Sequence, residues 1–127
     1  MGSAPVTAHI VRGQLVEVDL EPVVGHEQGR LRPCLVIQND VSNRFASTTI
    51  IVPLTDAKNI PHPSPIYVAA PKGDGGLKKD SLVLCDQIRT VDQQRFGRFF
   101  GVLSSETMRK VDWALSISLG LPRTSKA

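Results

Sequence analysis

The chain has 127 residues, 41% hydrophobic and 5% aromatic, with a formal net charge of +3 and a pI of about 9.1. That length allows one domain whose core buries about 60–70% of the unfolded surface without disulfides, and the composition excludes wholesale disorder. The weak positive balance permits a nucleic-acid partner without requiring one, and no apolar run reaches the ~18 residues of a membrane span and no signal-peptide pattern is found, so a cytoplasmic protein with no membrane partner is expected.

Residues 1–11 carry no firm pattern and read as an N-terminal segment open to disorder. From Gln14 to Leu20, apolar Leu15, Val16 and Val18 mix with Gln14, Glu17 and Asp19, the pattern of a half-buried strand ended by Pro22. A polar, Gly-punctuated loop follows, Gly25-His26-Glu27-Gln28-Gly29-Arg30-Leu31-Arg32-Pro33, and it feeds directly into the apolar run Cys34–Gln38, a core strand. Such a donor-rich loop against a rigid strand suits chemistry on an anion.

Asn39 to Arg44 is a turn-forming cluster. Thr48–Thr55 is the clearest strand, dense in β-branched residues, and Pro53 predicts an edge or a bulge at its end. A proline-rich loop over 56–65 leads to a strand at Ile66–Ala69, and Lys72–Lys79 reads as a mobile basic loop. Ser81–Val91 reads as one strand bent near Asp86, Asp92–Arg95 as a single helical turn, and Arg98–Leu103 as a last strand. Ser104 fits a helix N-cap, with Glu106 in the first turn where the helix dipole favours negative charge. Met108, Val111, Leu115 and Leu119 form one apolar stripe, Trp113 lies off its centre, and Gly120 and Pro122 are stop signals. The expected architecture is mainly β: a small, strongly bent sheet or barrel with a C-terminal helix, one domain over 12–121 and a tail over 122–127.

Gly73-Asp74-Gly75-Gly76 lacks the Gly-Lys-Ser/Thr of a phosphate-binding loop. The histidines His9, His26 and His62 complete no metal-ligand spacing, so no metal and no cofactor are expected. Cys34 and Cys85 sit in apolar runs and read as buried free thiols. On pattern alone His26 is a solvated loop residue, Arg32 a surface arginine and Thr55 a threonine satisfying a strand-end turn. Asp86 is paired, solvated at a strand end, or functional.

Together these pieces resemble the MazF/PemK family of toxins. The resemblance is carried by Arg12-Gly13 with Val18-Asp19-Leu20, by Gly25-His26-Glu27-Gln28 with Arg32-Pro33, and by Val36-Ile37-Gln38-Asn39-Asp40 with Asn43-Arg44-Phe45. It continues through Ile51-Val52-Pro53-Leu54-Thr55, Asp86 to Asp92, and Met108 with Val111 in the helix. It implies an SH3-like barrel with a C-terminal helix, assembled as a homodimer. It further implies an endoribonuclease that cuts single-stranded RNA at a short sequence without metal, neutralised by a MazE-like antitoxin.

By motif, Arg32 and Thr55 fall on the family's catalytic arginine and threonine, and Asp86 on an acidic residue proposed as a base in the PemK branch. His26, Glu27, Gln28, Asn39, Asn43 and Gln87 are the expected RNA-binding residues. The PemK branch carries an arginine two residues before that aspartate; here the position is Leu84, so a mechanism relying on that arginine is not expected. Two other classes remain as rivals, a gyrase-inhibiting CcdB-like toxin and a catalytically inactive RNA-binding barrel. Trp113 inside the helix and the Arg123–Ala127 ending depart from the first, and the low aromatic content argues against the second.

Overall fold

The computed structural model describes residues 10–21, 24–25 and 30–122. The strands are β1 (Gln14–Asp19), β2 (Leu31–Val36), β3 (Thr48–Asp56), β4 (Tyr67–Ala70), β5 (Ser81–Leu84), β6 (Arg89–Asp92) and β7 (Phe96–Val102). The helices are α1 (Asp40–Phe45) and α2 (Ser105–Ser118). The strands pair antiparallel in the order β4-β5-β3-β2-β1-β7, with β6 also on β3. This is the expected mainly β fold with a C-terminal helix; among the described residues β4 and β7 do not pair, so the barrel is bent but open.

Alternate residues of the central strands serve two cores. Leu15, Leu35, Val52 and Leu54 pack with Val83, Val111, Ala114 and Leu115 beneath α2. Val16, Val18, Cys34, Val36 and Ile51 pack on the other side with Ile10 and Val91. β1 is therefore buried on both faces, beyond the half-burial its alternation predicts. Ile10, 3% exposed, packs in this second core.

β3 bends the sheet by changing partners. Thr48–Ile51 pair with β6, while Leu54–Asp56 pair with β5. Ile50 accepts from Ile37 on the β2 side, so by alternation the nitrogen of Pro53 faces the opposite edge. There it falls in the gap between the two ladders, where no N–H is required. Pro53 is thus buried in a middle strand, not at the expected edge or bulge.

Other expectations are corrected. Asn39–Arg44 is the start of a helix, because Asn39 takes an extended conformation and accepts from the Ser42 amide at 2.8 Å as an N-cap; the residue types that signal turns also cap helices. The single bent strand at 81–91 is two strands, divided by a turn in which the Gln87 amide donates to the Leu84 carbonyl at 3.0 Å. Leu119 is 57% exposed, and the buried stripe of α2 is Thr107, Val111, Ala114 and Leu115. Ser104 is the N-cap as expected, accepting from the Thr107 amide at 3.2 Å.

Candidate functional site

β2 and β3 are registered as Cys34 opposite Pro53, Leu35 opposite Val52 and Val36 opposite Ile51. Arg32 and Thr55 lie two residues beyond the Cys34–Pro53 end of that ladder, on β2 and β3. Both line one cleft of about 230 Å³, with Glu17 of β1, Asp56 of β3 and Arg98 of β7. Lys78 and Lys79 close another side. Four cations against two carboxylates leave the cleft positive, a fit for a phosphodiester.

Thr55 is 5% exposed, and its hydroxyl oxygen accepts from the Asn59 amide group at 3.0 Å. A hydroxyl that accepts in this way still has its own proton to give. Arg32 is half-buried at the loop end of β2. Its fork has the shape to hold two oxygens of one phosphate.

The two carboxylates are held ionised. Glu17 accepts from the Arg98 guanidinium at 3.1 and 3.4 Å and from the Arg98 amide at 3.2 Å. Those bonds keep its carboxyl below the usual range. Asp56 accepts from the Lys58 amide at 3.1 Å and lies 3.5 Å from the Lys79 ammonium. The backbone bond is the main cause that lowers its carboxyl too. A carboxylate with a depressed pKa is a weaker proton acceptor.

The other expected residues are not gathered here. Asp86 and Gln87 sit in the β5–β6 turn, where the Tyr67 hydroxyl donates to Asp86 at 3.3 Å. Thr55 pairs with Leu82 near the start of β5, whereas Asp86 lies past the end of that strand, in the turn to β6, and does not line the cleft with Arg32 and Thr55.

Asn39 is exposed and caps α1 through its carbonyl oxygen. Asn43 is 6% exposed, and its amide is used within the fold. Its nitrogen donates to the Gln38 carbonyl at 3.0 Å, and its oxygen accepts from Gln38 at 2.9 Å and Thr49 at 2.7 Å. Asn43 therefore holds α1 on the sheet and offers no edge for reading a base. His26, Glu27 and Gln28 lie outside the described residues. Arg30, at the end of that loop, takes a left-handed φ of 66° and its amide donates to Glu21 at 2.7 Å.

Sequence reasoning missed Glu17, Asp56 and Arg98. Glu17 is a polar residue inside a buried strand, and that is a signal, but its partner is 81 residues away. Cys34 and Cys85 are free, buried thiols, each pushed up to about 12 by burial. Among the described residues no three His, Cys, Asp or Glu side chains group to hold a metal ion, and no helix is long and apolar enough to cross a membrane.

Residues 11–119 match the family model described as "PemK-like, MazF-like toxin of type II toxin-antitoxin system". The chain is 46% identical to Endoribonuclease EndoA of Bacillus subtilis (strain 168) over 112 residues, which cover 88% of this chain and 96% of that protein. It is 44% identical to Endoribonuclease MazF of Staphylococcus epidermidis, covering 88% of this chain and 92% of the relative. The fold superposes with a TM-score of 0.72 on an endoribonuclease in complex with its cognate antitoxin from a mycobacterial species, at 27% identity, over 93% of this chain and all of that one.

Proposed function

The chain belongs to the PemK-like, MazF-like toxin family of type II toxin–antitoxin systems, and from that premise we propose that it is a cytoplasmic toxin endoribonuclease cutting single-stranded RNA without metal. The observation that carries the reading is that Arg32 of β2 and Thr55 of β3 line one positively charged cleft.

RNA contains its own nucleophile, the 2′-hydroxyl beside each phosphate. Its oxygen attacks phosphorus while the bond to the 5′-oxygen breaks, leaving a 2′,3′-cyclic phosphate and a 5′-hydroxyl. The reaction needs an acceptor for the 2′-OH proton, a stabiliser for charge on the phosphorane, and a donor to the leaving oxygen. Arg32 stabilises the charge through its fork and hydrogen-bonds the leaving 5′-oxygen, which takes its proton from water; a guanidinium keeps its proton and is not the base. Thr55 donates its hydroxyl proton in a hydrogen bond to a non-bridging oxygen.

The proton acceptor is drawn from His26 and Glu27, a few residues before Arg32 in the chain. Glu17 and Asp56 are held as stable carboxylates, and Asp86 stands at the far end of β5. Splayed bases can be read on their edges, and Gln28, Asn39, Asp86 and Gln87 offer donors and acceptors for that task.

The protein works as a homodimer. Its exposed apolar side chains support that reading, among them Leu31, Phe45, Trp113 and Leu121, each at least 48% exposed. A MazE-like antitoxin with an acidic segment suits the positive cleft.

The test is a mixed-sequence single-stranded RNA incubated with the protein in EDTA, with end mapping and end chemistry. Discrete cuts with cyclic phosphate and 5′-hydroxyl ends are expected. No cleavage by the folded protein would overturn the endoribonuclease reading in favour of an inactive RNA-binding barrel.

A further inference from the structure

The segment Lys72–Lys79, expected to be a mobile basic loop, is fastened at three points together with Asp80. Asp74 reaches α2, accepting from the Ser104 amide at 2.7 Å, the Ser104 hydroxyl at 3.0 Å and the Thr107 hydroxyl at 2.6 Å. Gly75, at φ 62°, lies against the sheet so closely that a Cβ there would come within 2.7 Å of Leu15, and a Cβ on Gly101 of β7 would come within 3.1 Å of the Gly75 carbonyl oxygen. At the far end Leu77 is buried, while the Asp80 carboxylate accepts from Lys72 at 2.9 Å and its carbonyl accepts from Ala57 at 2.9 Å.

Lys78 and Lys79 emerge between Leu77 and Asp80, and both line the Arg32–Thr55 cleft. Lys79 is 69% exposed, and its 3.5 Å pairing with Asp56 is of the weak, solvent-screened kind that a phosphate can replace. α2 does not depend on Asp74 for its cap, because Ser104 already supplies one from its own turn. Asp74 adds a linkage across 30 residues to a helix end that is otherwise capped. Burial raises the Asp74 carboxyl, but the bonds from Thr107 and Ser104 outweigh it and hold the group ionised below its usual range.

We propose that Asp74 is a positioning residue that fixes Lys78 and Lys79 as a wall of the cleft for a phosphate of the RNA strand flanking the one that is cut. The inference rests on the endoribonuclease reading above and deepens it. Lysine contributes a point charge without a fixed fork, so the two lysines hold the strand in place and Arg32 carries the chemistry. Removing them weakens substrate binding and leaves the chemical step intact.

The test is steady-state cleavage of one short single-stranded RNA by wild type, Lys78→Ala/Lys79→Ala, Asp74→Ala, Gly101→Ala and the triple variant at residues 74, 78 and 79, over a range of salt. The lysine variant should raise KM about tenfold with kcat within about twofold, and reduce the slope of log KM against log salt by about 0.7 per lysine, the single-strand value. Asp74→Ala should raise KM with kcat held, and should add nothing once both lysines are gone. Gly101→Ala, pushing on Gly75 from β7, should give the same KM-only rise and makes the test independent of how well Asp74→Ala folds. An unchanged KM and salt slope in the lysine variant, or an Asp74 effect that multiplies with the lysine effect, would overturn the inference while leaving the endoribonuclease intact. A wild type that cuts no RNA overturns the underlying reading instead.

Discussion

The two ends of β5 differ in what they can do. At its start, Ser81 and Leu82 pair with Asp56 and Thr55, and Ser81 joins the wall of a cleft that holds Arg32, Arg98 and two lysines. At its end, Asp86 and Gln87 occupy a turn where Asp86 accepts from the Tyr67 hydroxyl. The chain marks both ends with polar residues in family-like motifs. Only the first end collects groups from β1, β2, β3 and β7 around one volume. Antiparallel register assembles a site between strands, whereas a turn presents what it carries in sequence.

The sharpest way to break this contrast is Arg32→Ala. Loss of one charge-stabilising donor should cost about 10²–10³ in kcat, with the folded state retained, because the side chain is half-buried at a strand end. Single-turnover cleavage beside a thermal melt measures both, and near-normal cleavage by a folded variant would remove Arg32 from the mechanism.

Thr55→Val keeps the volume and deletes the hydroxyl, so it should lower kcat about tenfold, a net hydrogen bond's worth. It also leaves Asn59 without its acceptor, so the melt should fall slightly. A kcat equal to wild type would reduce Thr55 to a structural residue.

Asp86→Asn tests the other end of β5. It should leave kcat within about threefold, since Asp86 lies in the turn after β5 and does not line the cleft, and should shift KM or the preferred cut site. A loss of 10² or more in kcat would bring Asp86 back into the chemistry and erase the distinction between the two ends.

The smallest effect concerns the Glu17–Arg98 pair that floors the cleft. The Glu17 carboxyl lies below its unfolded value, so its stabilisation is present above the ordinary carboxylate range and is lost as pH falls through the folded value. Glu17→Gln should therefore melt below wild type at pH 7, by a difference that shrinks on acidification toward pH 3. Arg98 is 73% exposed, which keeps the difference to a degree or two. A gap that does not narrow in acid would mean that packing, not charge, sets the effect.

Much of the fold was legible because it depends on local pattern. β-branched density marks β3, and the Ser104 cap with an apolar stripe marks α2. Family-like motifs mark Arg32 and Thr55. Failures arose where one residue type serves two purposes. Asn39 signals turns and caps helices with the same side-chain oxygen. Pro53 is usually an edge residue, and here it fills the gap where β3 trades one partner for another. Asn43 is an expected RNA-binding residue by motif, but Gln38 and Thr49 occupy its side-chain amide within the fold.

The sequence by itself determined the class, a mainly β fold with a terminal helix, because periodicity and capping are properties of neighbouring residues. It also supplied the two side chains with the chemistry to handle a phosphate. Tertiary structure alone decided that Arg32 and Thr55 line one cleft, that Glu17 is tied to Arg98 from 81 residues away, and that Asp86 sits in a turn that does not line it. Those facts depend on strand register and on packing between residues far apart in the chain, and no local pattern encodes them.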